Sequence, residues 1–275
     1  MRRVPAVPPP VRLELSGDRL AASLARLVAG AEPHGGLEQY VEALKLKGTA
    51  FREALLAGPD PLATLEPAVF GVLCPLLPTV RRWIGRWLER PAYDALRGEL
   101  AELLDAIDEP ASTDERLARF GTGLGEDRHQ RWVRDLAAEV LHNVDPERYP
   151  LMTRWIWDAA ANTGVLREIW FADDASPQRI AVADDYATFL ALREELSGYL
   201  ARQGFFRDML YYVDLLCAQV YAEYICDQGG SYLRTDFSDE PDPLEFTRRL
   251  LGLDGVRAGN GRTRLNTIEG RAAAV

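Results

Sequence analysis

The sequence feature that most constrains the fold is an apolar seam between residues 206 and 224. Its members follow one another at steps of four and three residues: Phe206, Leu210, Val213, Cys217, Val220 and Tyr224. That spacing is the period of an α-helix with one apolar side; in a strand every second residue would face the core. Met209, Leu216 and Tyr221 widen the seam, so we predict a long helix buried on most sides.

Shorter stripes of the same period recur between nearly all the turn signals of the chain. Leu20, Leu24 and Leu27 form one of them. We therefore predict an all-α globular fold of about nine or ten helices, because a strand-rich chain would alternate with period two. The one β-like region lies near 166–183, where two apolar runs flank a turn-like segment, so we expect at most one small β-hairpin there.

The predicted helical domain spans residues 13–252. The segment Asp108-Glu-Pro-Ala-Ser112 is a candidate boundary inside it, so two abutting lobes, 13–108 and 112–252, are an alternative to one compact domain. Residues 1–12 are rich in proline and are expected to form a disordered tail. Residues 253–275 are rich in glycine and arginine and are expected to be a mobile tail.

Composition narrows the classes of function. The chain carries 32 basic and 42 acidic residues, a net charge of −10, which opposes nucleic-acid binding by the surface as a whole. No apolar run reaches the length of about 18 residues that a membrane span needs, and the N-terminus lacks the apolar region of a signal peptide. The three cysteines are widely spaced, which favours a reducing cytoplasm over a disulfide framework.

No complete motif for a cofactor, a metal or a nucleophile occurs in the sequence. Patterns for dinucleotides, nucleotide phosphates, serine hydrolases and zinc proteases are all missing, so we predict no cofactor and no metal. The glycine-rich run Phe120-Gly-Thr-Gly-Leu-Gly125 could cradle a phosphate, but it follows no convincing strand, and a connector is the better interpretation. Glu139 and His142 share a helix face, yet the second such pair that a di-iron bundle needs is missing.

A polar corner between residues 142 and 158 is the first candidate site. The prolines of His142-Asn-Val-Asp-Pro-Glu-Arg-Tyr-Pro150 predict a rigid connection between a helix that ends near His142 and a second helix, from Pro150 to about Asn162. In a functional interpretation several polar side chains converge on one pocket walled by Trp155 and Trp157. These side chains are Glu139, His142, Asp145, Arg148, Arg154 and Asp158.

Such a pocket could bind a small anion or move a proton, with His142, Glu139 and Asp145 as the catalytic candidates. In the structural interpretation, which we favour, the same residues are caps and ion pairs of a helix corner. Arg154 and Asp158 then form an i,i+4 pair, and the tryptophans belong to the core.

A basic stretch is the second candidate site. We predict a helix from Thr79 to Arg90 with an apolar side formed by Val80, Trp83, Ile84, Trp87 and Leu88. The arginines of its other side are Arg81, Arg82, Arg86 and Arg90. A solvated face is the simplest interpretation, and a docking face for an acidic partner or a phosphate is the functional one.

Three hypotheses of function follow. The leading one is a cytoplasmic helical accessory or adaptor protein that binds another protein. The alternative is an enzyme or small-anion binder at the corner, and the third is nucleic-acid binding through the basic helix. A deep pocket at His142 would favour the enzyme, whereas a corner filled by Trp155 and Trp157 would favour the adaptor.

Overall fold

The fold is all-α, in agreement with the period of the sequence. The computed structural model describes residues 11–105, 107–171, 179–229, 243–254, 256–257 and 264–265. Ten α-helices follow one another within these ranges, joined by turns and short 3-10 helices. The named strands of the described residues are two residues long, β1 (Val256–Arg257) and β2 (Arg264–Leu265), and they pair antiparallel.

The helices have the following bounds: α1 (Gly17–Ala31), α2 (Glu38–Leu56), α3 (Pro67–Leu73), α4 (Ala92–Asp105), α5 (Thr113–Arg119), α6 (Arg131–Val144), α7 (Val165–Glu168), α8 (Tyr186–Arg202), α9 (Met209–Gly229) and α10 (Pro243–Leu250). Polar side chains cap the N-termini of two of these helices. Ser16 accepts a hydrogen bond from the backbone N–H of Arg19, and Asp185 accepts one from Thr188.

Helix α9 contacts five other helices of the described chain. It packs against α1, α2, α7, α8 and α10. Val213, Cys217 and Val220 of the predicted seam are buried, which confirms its middle part. The seam does not extend to its first predicted member, because Phe206 precedes the helix and is 77% exposed.

Helices from both halves of the chain share one core. α2 packs against α6, and α1 packs against α9. The buried apolar side chains of these helices belong to a single cluster. The polar corner and the basic stretch are therefore both attached to the same packed body.

No α-helix forms over residues 150–162, so the helix predicted there is wrong. The backbone of Asp158 and Thr163 pairs across a turn, with N–O distances of 3.0 and 3.2 Å. The Asp158 carboxylate accepts a hydrogen bond of 2.9 Å from the N–H of Ala161 inside that turn. A short acidic side chain that bonds its own backbone in this way competes with helix formation.

The described residues do not form the β-hairpin expected near 166–183. Its first apolar run is helical at α7, where Val165, Leu166 and Ile169 are buried at helical spacing. Trp170 instead forms an isolated antiparallel bridge with Leu15. Short apolar runs are ambiguous between helix and strand by periodicity alone. The predicted turn falls on residues 172–178, which lie outside the described part of the chain.

The C-terminal helix α10 is anchored in the core. Leu244, Leu251 and Leu253 are buried, so the tail predicted to begin at residue 253 is docked at its start. Gly252 has φ +70°, and a Cβ atom there would overlap the carbonyl oxygen of Leu76. Only glycine fits this close approach of two backbones.

Residues 1–10 of the predicted N-terminal tail and most of the predicted C-terminal tail lie outside the described residues. No helix of the described part of the chain combines the length and the apolar character that a membrane crossing requires.

Candidate functional site

His142 lies in the core at the end of α6 and uses both ring nitrogens. Its Nδ1 is 2.9 Å from the carbonyl oxygen of Tyr149, and its Nε2 is 2.9 Å from Oδ2 of Asp214 on α9. The carbonyl oxygen accepts a proton from Nδ1, and a carboxylate at Nε2 favours a second proton on the ring, so the geometry favours an imidazolium. Burial opposes that charge, but the charge and hydrogen bond of Asp214 outweigh it and raise the pKa of His142.

Glu139, one turn before His142, is also buried and also paired. Its carboxylate lies 3.9 Å from Nζ of Lys47 on α2 and accepts a hydrogen bond from the hydroxyl of Thr79. Nζ of Lys47 donates to the carbonyl oxygen of Leu251, after α10, at 3.0 Å. Burial raises the pKa of Glu139 and lowers that of Lys47. These contacts join α2 and α6 to the turn at Thr79 and to the segment after α10.

The cavity beside His142 and Asp214 is too small for a substrate. Its volume is about 20 Å³, with largely apolar walls that include Leu151, Phe189 and Val213. A volume of this size holds about one water molecule. The catalytic candidates His142 and Glu139 are therefore parts of a packed polar core in this structure.

Asp145 and Arg148 bond to each other at the surface of the corner. Nη1 of Arg148 lies 2.7 Å from Oδ2 of Asp145 and 2.8 Å from Oδ1 of Asp108 in the segment before α5. The Asp145 carboxylate also accepts the backbone N–H of Arg148 at 3.1 Å. Both side chains line an open groove with Arg52 and Tyr211.

The backbone of the corner is held by side chains from other elements. Buried Arg116 donates to the Tyr149 hydroxyl at 2.8 Å, and that hydroxyl donates to the carbonyl of Ile107. Arg193 of α8 donates to the carbonyl of Glu147 at 2.6 Å. The corner is therefore a joint that ties α5, α6 and α8 to the segment after α4.

Arg154, Trp155 and Asp158 lie apart from the rest of the corner. The backbone N–H of Arg154 donates to Asp135, and its side chain lines a second open groove, of about 800 Å³, with Asp158. No ion pair joins Arg154 and Asp158, so the predicted i,i+4 pair is not formed; the residues are not on a helix. Trp155 is buried against Tyr221, with ring centroids 5.7 Å apart.

Trp157 is buried, and its indole N–H donates to the carbonyl of Val182 at 3.2 Å. The two tryptophans thus fill the core as the structural interpretation predicts. The six polar candidates occupy three separate places. His142 and Glu139 are buried, Asp145 and Arg148 line one surface groove, and Arg154 and Asp158 line a second groove. They do not converge on one pocket.

The sequence interpretation missed Lys47 and Asp214. No local motif links them to α6, since Asp214 is 72 residues from His142. A signal was nevertheless present. Lys47 lies at helical spacing between buried Leu44 and Phe51, and Asp214 adjoins buried Val213 in the seam. A charged residue within an apolar stripe is expected to have a buried partner.

The basic stretch is not the predicted α-helix from 79 to 90. It consists of turns up to Trp83, which caps a 3-10 helix over Ile84–Leu88. Side chains three residues apart lie above one another in a 3-10 helix. Ile84 and Trp87 thus face the core together, while Trp83 is displaced outward and is 52% exposed. The predicted inward position of Trp83 is wrong for this reason.

Ion pairs connect the basic stretch to neighbouring segments. Arg81 pairs with Asp254 beyond α10, and Arg90 pairs with Glu66, 3.2 Å away at the start of α3. Arg82 and Arg86 are exposed on either side of Trp83. The stretch therefore keeps a basic and partly aromatic outer surface.

Helix α3 packs beside this stretch and exposes an apolar surface of its own. The helix contains no polar side chain. Phe70 and Leu73 are buried, whereas Val69 and Val72 are 47% and 52% exposed, and Ala68 is exposed with them. We call the exposed residues of both elements the 67–90 face: Ala68, Val69, Val72, Arg82, Trp83 and Arg86.

The glycine-rich loop binds a carboxylate of the protein's own helix α4. The carboxylate of buried Glu99 on α4 accepts hydrogen bonds from the backbone N–H groups of Gly121 and Gly123. The hydroxyl of Thr122 lies 3.4 Å from the same carboxylate. Successive backbone N–H groups make an anion-binding concavity. Here they fix the loop to α4.

Comparison of the chain with protein-family models, with curated proteins and with solved structures finds no match. The assignment of function therefore depends on the geometry of the two candidate regions.

Proposed function

We propose that this protein is a helical accessory or adaptor protein that binds another protein through the 67–90 face. The observation that carries the proposal is α3, a helix without polar side chains whose outer residues remain in contact with solvent. Trp83 is half exposed on the element that packs against it. Exposed apolar patches mark interaction sites, and tryptophan and arginine dominate the binding energy of interfaces.

A cytoplasmic setting belongs to the same proposal. Cys74 and Cys217 are free thiols, and both are buried. Free thiols are the usual state in a reducing compartment.

An enzyme or small-anion binder at the corner is the weaker alternative. His142 and Glu139 are engaged with Asp214 and Lys47, and the adjoining cavity has room for about one water. Arg148 is engaged with two carboxylates. The polar groups of the corner are thus used to hold the fold, whereas a substrate site keeps some of them for its ligand.

Nucleic-acid binding through Arg81, Arg82, Arg86 and Arg90 is the third proposal. The net charge of −10 opposes approach to a polyanion, and two of these arginines are already paired with carboxylates. It would also leave the apolar side of α3 without a partner.

Site-directed photo-crosslinking tests protein binding at this face. A photoreactive amino acid at position 82, in cells of the source organism, should capture one recurring, identifiable protein. Arg202 is exposed at the C-terminal end of α8, away from the face, and a crosslinker at this position is the matched control. The adduct at position 82 should disappear when Trp83→Ala is added. Equal adducts at both positions, or none at position 82, would refute the proposal.

A further inference from the structure

We infer that the segment from Leu251 to Asp254, which follows α10, holds Trp83 in its exposed position, so that partner binding at the 67–90 face depends on the docking of this segment. We call these four residues the C-terminal clamp. The inference rests on the proposed function and adds to it a means of regulation. It is carried by three separate contacts that join the C-terminal clamp to the chain directly before Trp83.

The first contact is a close approach of two backbones. Gly252 lies against the carbonyl group of Leu76, the last residue of the 3-10 helix Cys74–Leu76. A Cβ atom on Gly252 would lie 2.7 Å from the carbonyl carbon, which is inside the normal packing distance. The lack of a side chain at Gly252 therefore lets the C-terminal clamp pack directly on the backbone at Leu76.

The second contact is an ion pair near the surface. The guanidinium group of Arg81 bonds to the carboxylate of Asp254. The backbone N–H of Arg81 donates to the carbonyl of Leu77 at 3.0 Å, so Arg81 belongs to the turn that leads into Trp83. The ion pair thus connects the last residue of the C-terminal clamp to that turn.

The third contact is buried and passes through two charged side chains. Nζ of Lys47 donates to the carbonyl of Leu251 at 3.0 Å and lies 3.9 Å from the carboxylate of Glu139. That carboxylate also accepts a hydrogen bond from the hydroxyl of Thr79. Lys47 and Glu139 are both buried, so each depends on these partners. One pair of buried charges therefore holds both Leu251 and Thr79.

The local sequence does not decide where Trp83 lies. The apolar spacing of residues 79–90 fits an α-helix as well as the observed turns, and the two differ in the position of Trp83. Contacts with the rest of the protein must therefore select the turns, because tertiary context overrides local preference. The C-terminal clamp supplies such contacts at positions 76, 79 and 81. When it undocks, we expect residues 77–84 to lose their turn structure and Trp83 its outward position.

Amide hydrogen exchange of the full chain, measured by mass spectrometry, tests the inference without a partner. The reporters are four backbone N–H groups that donate to Leu77 or Val80, those of Val80, Arg81, Trp83 and Ile84. Gly252→Ala should speed the exchange of these groups at least about tenfold, because the added Cβ pushes the C-terminal clamp away from Leu76.

Gly204→Ala is the matched control for Gly252→Ala. Gly204 also has a positive φ, of +94°, but no atom lies within 4 Å of the position of a Cβ there. The strain of an alanine in the left-handed region is thus common to both variants, and the overlap with another backbone is not. Gly204→Ala should leave the four reporter groups at the parent rate.

A charge exchange tests the ion pair without a change in the core. Asp254→Arg should speed the exchange of the reporter groups about threefold, the size expected for one partly exposed pair. Adding Arg81→Asp should restore the parent rate, because the pair forms again with its charges reversed. Glu245→Arg is the matched control, since it breaks another exposed ion pair, with Arg249 on α10, and should not change these rates.

Photo-crosslinking connects the C-terminal clamp to binding. With the photoreactive amino acid at position 82, Gly252→Ala and Asp254→Arg should each reduce the adduct at least about threefold, because fewer molecules hold the binding conformation. Gly204→Ala and Glu245→Arg should give the adduct of the parent. An undiminished adduct in the two clamp variants would overturn the inference.

The exchange data can overturn it as well. Parent rates at the reporter groups in both clamp variants would do so, and so would an equal acceleration in the distant helix α8, which would indicate a general loss of stability. If Gly252→Ala does not fold, the charge exchange at Asp254 decides.

The two proposals fail separately. Parent exchange rates in the clamp variants, together with a protein captured at position 82, refute the C-terminal clamp and leave protein binding standing. Faster exchange in the clamp variants, with no protein captured by the parent, supports the hold of the C-terminal clamp on residues 77–84 and refutes the proposed function in those cells.

Discussion

The corner at residues 142–150 and the 67–90 face contain similar side chains in opposite circumstances. Both combine arginines with aromatic residues. In the corner, Arg116 donates to the hydroxyl of Tyr149 and Arg193 donates to the carbonyl of Glu147, so both guanidinium groups are engaged within the fold. On the face, Arg82 and Trp83 point into solvent. Residue type alone therefore does not distinguish a functional site from a structural joint. What distinguishes them is whether the polar atoms already form bonds within the protein.

We expect the largest loss of stability when the carboxylate partner of His142 is removed. Asp214→Ala leaves a buried imidazolium without its carboxylate, and we expect a loss of about 3–5 kcal/mol of unfolding free energy in urea denaturation. The double variant His142→Leu with Asp214→Leu should recover much of that loss, because an apolar pair of similar volume removes the charge as well. A loss below about 1 kcal/mol for Asp214→Ala would mean that the pair does not hold the corner.

The hydroxyl of Tyr149 should contribute less. Tyr149→Phe removes the hydrogen bond to Ile107 and one acceptor of Arg116, so we expect a loss of about 1–2 kcal/mol. Tyr186→Phe is the matched control. Its hydroxyl donates to the carbonyl of Arg148 in a more exposed place, so its removal should cost less. Equal losses for the two variants would contradict the central role of Tyr149.

The pH dependence of stability is a further test of the pair formed by His142 and Asp214. The folded pKa of His142 is raised, because Asp214 outweighs the effect of burial. The stabilisation by this group is therefore complete below the unfolded pKa of about 6.5 and is lost as pH rises through the folded value. We expect the stability of the parent to fall on the alkaline side relative to His142→Gln, measured by urea denaturation across that range. Parallel pH profiles would show that His142 is not charged in the fold.

The smallest effects on stability belong to the 67–90 face. Arg82→Glu and Val69→Ser change exposed residues, and we expect each to stay within about 0.5 kcal/mol of the parent. Thermal unfolding of the two variants checks this. A loss comparable to that of Tyr149→Phe would show that the face is structural, and the contrast with the corner would disappear.

The sequence predicts most of the architecture, because the helical period is local. The bounds of α2 and the buried middle of α9 follow from the spacing of their apolar residues. The period fails over 79–90. There, an α-helical and a 3-10 interpretation both bury Ile84 and Trp87 and differ in the position of Trp83. Proline at positions 78 and 91 limits the length of any helix between them.

The candidate site is less predictable, because its contacts are distant in sequence. The partner of His142 is 72 residues away, and Lys47 is joined to a carbonyl 204 residues away. Spacing along one helix can show that Glu139 and His142 share a face, but the facing element decides whether that face meets a ligand or a second charge. Here helices α2 and α9 supply the second charges.

The hydrogen bond from Lys47 to the carbonyl of Leu251 has a consequence for synthesis on the ribosome. Lys47 is made early, and its acceptor follows α10, which is made after the other nine described helices. Until the segment 243–253 has emerged, the growing chain exposes the surface of α9 that α10 covers and leaves this ammonium group short of one acceptor. Completion of the core is thus a late event of translation, and a nascent chain stalled before residue 243 should require a chaperone to remain unaggregated.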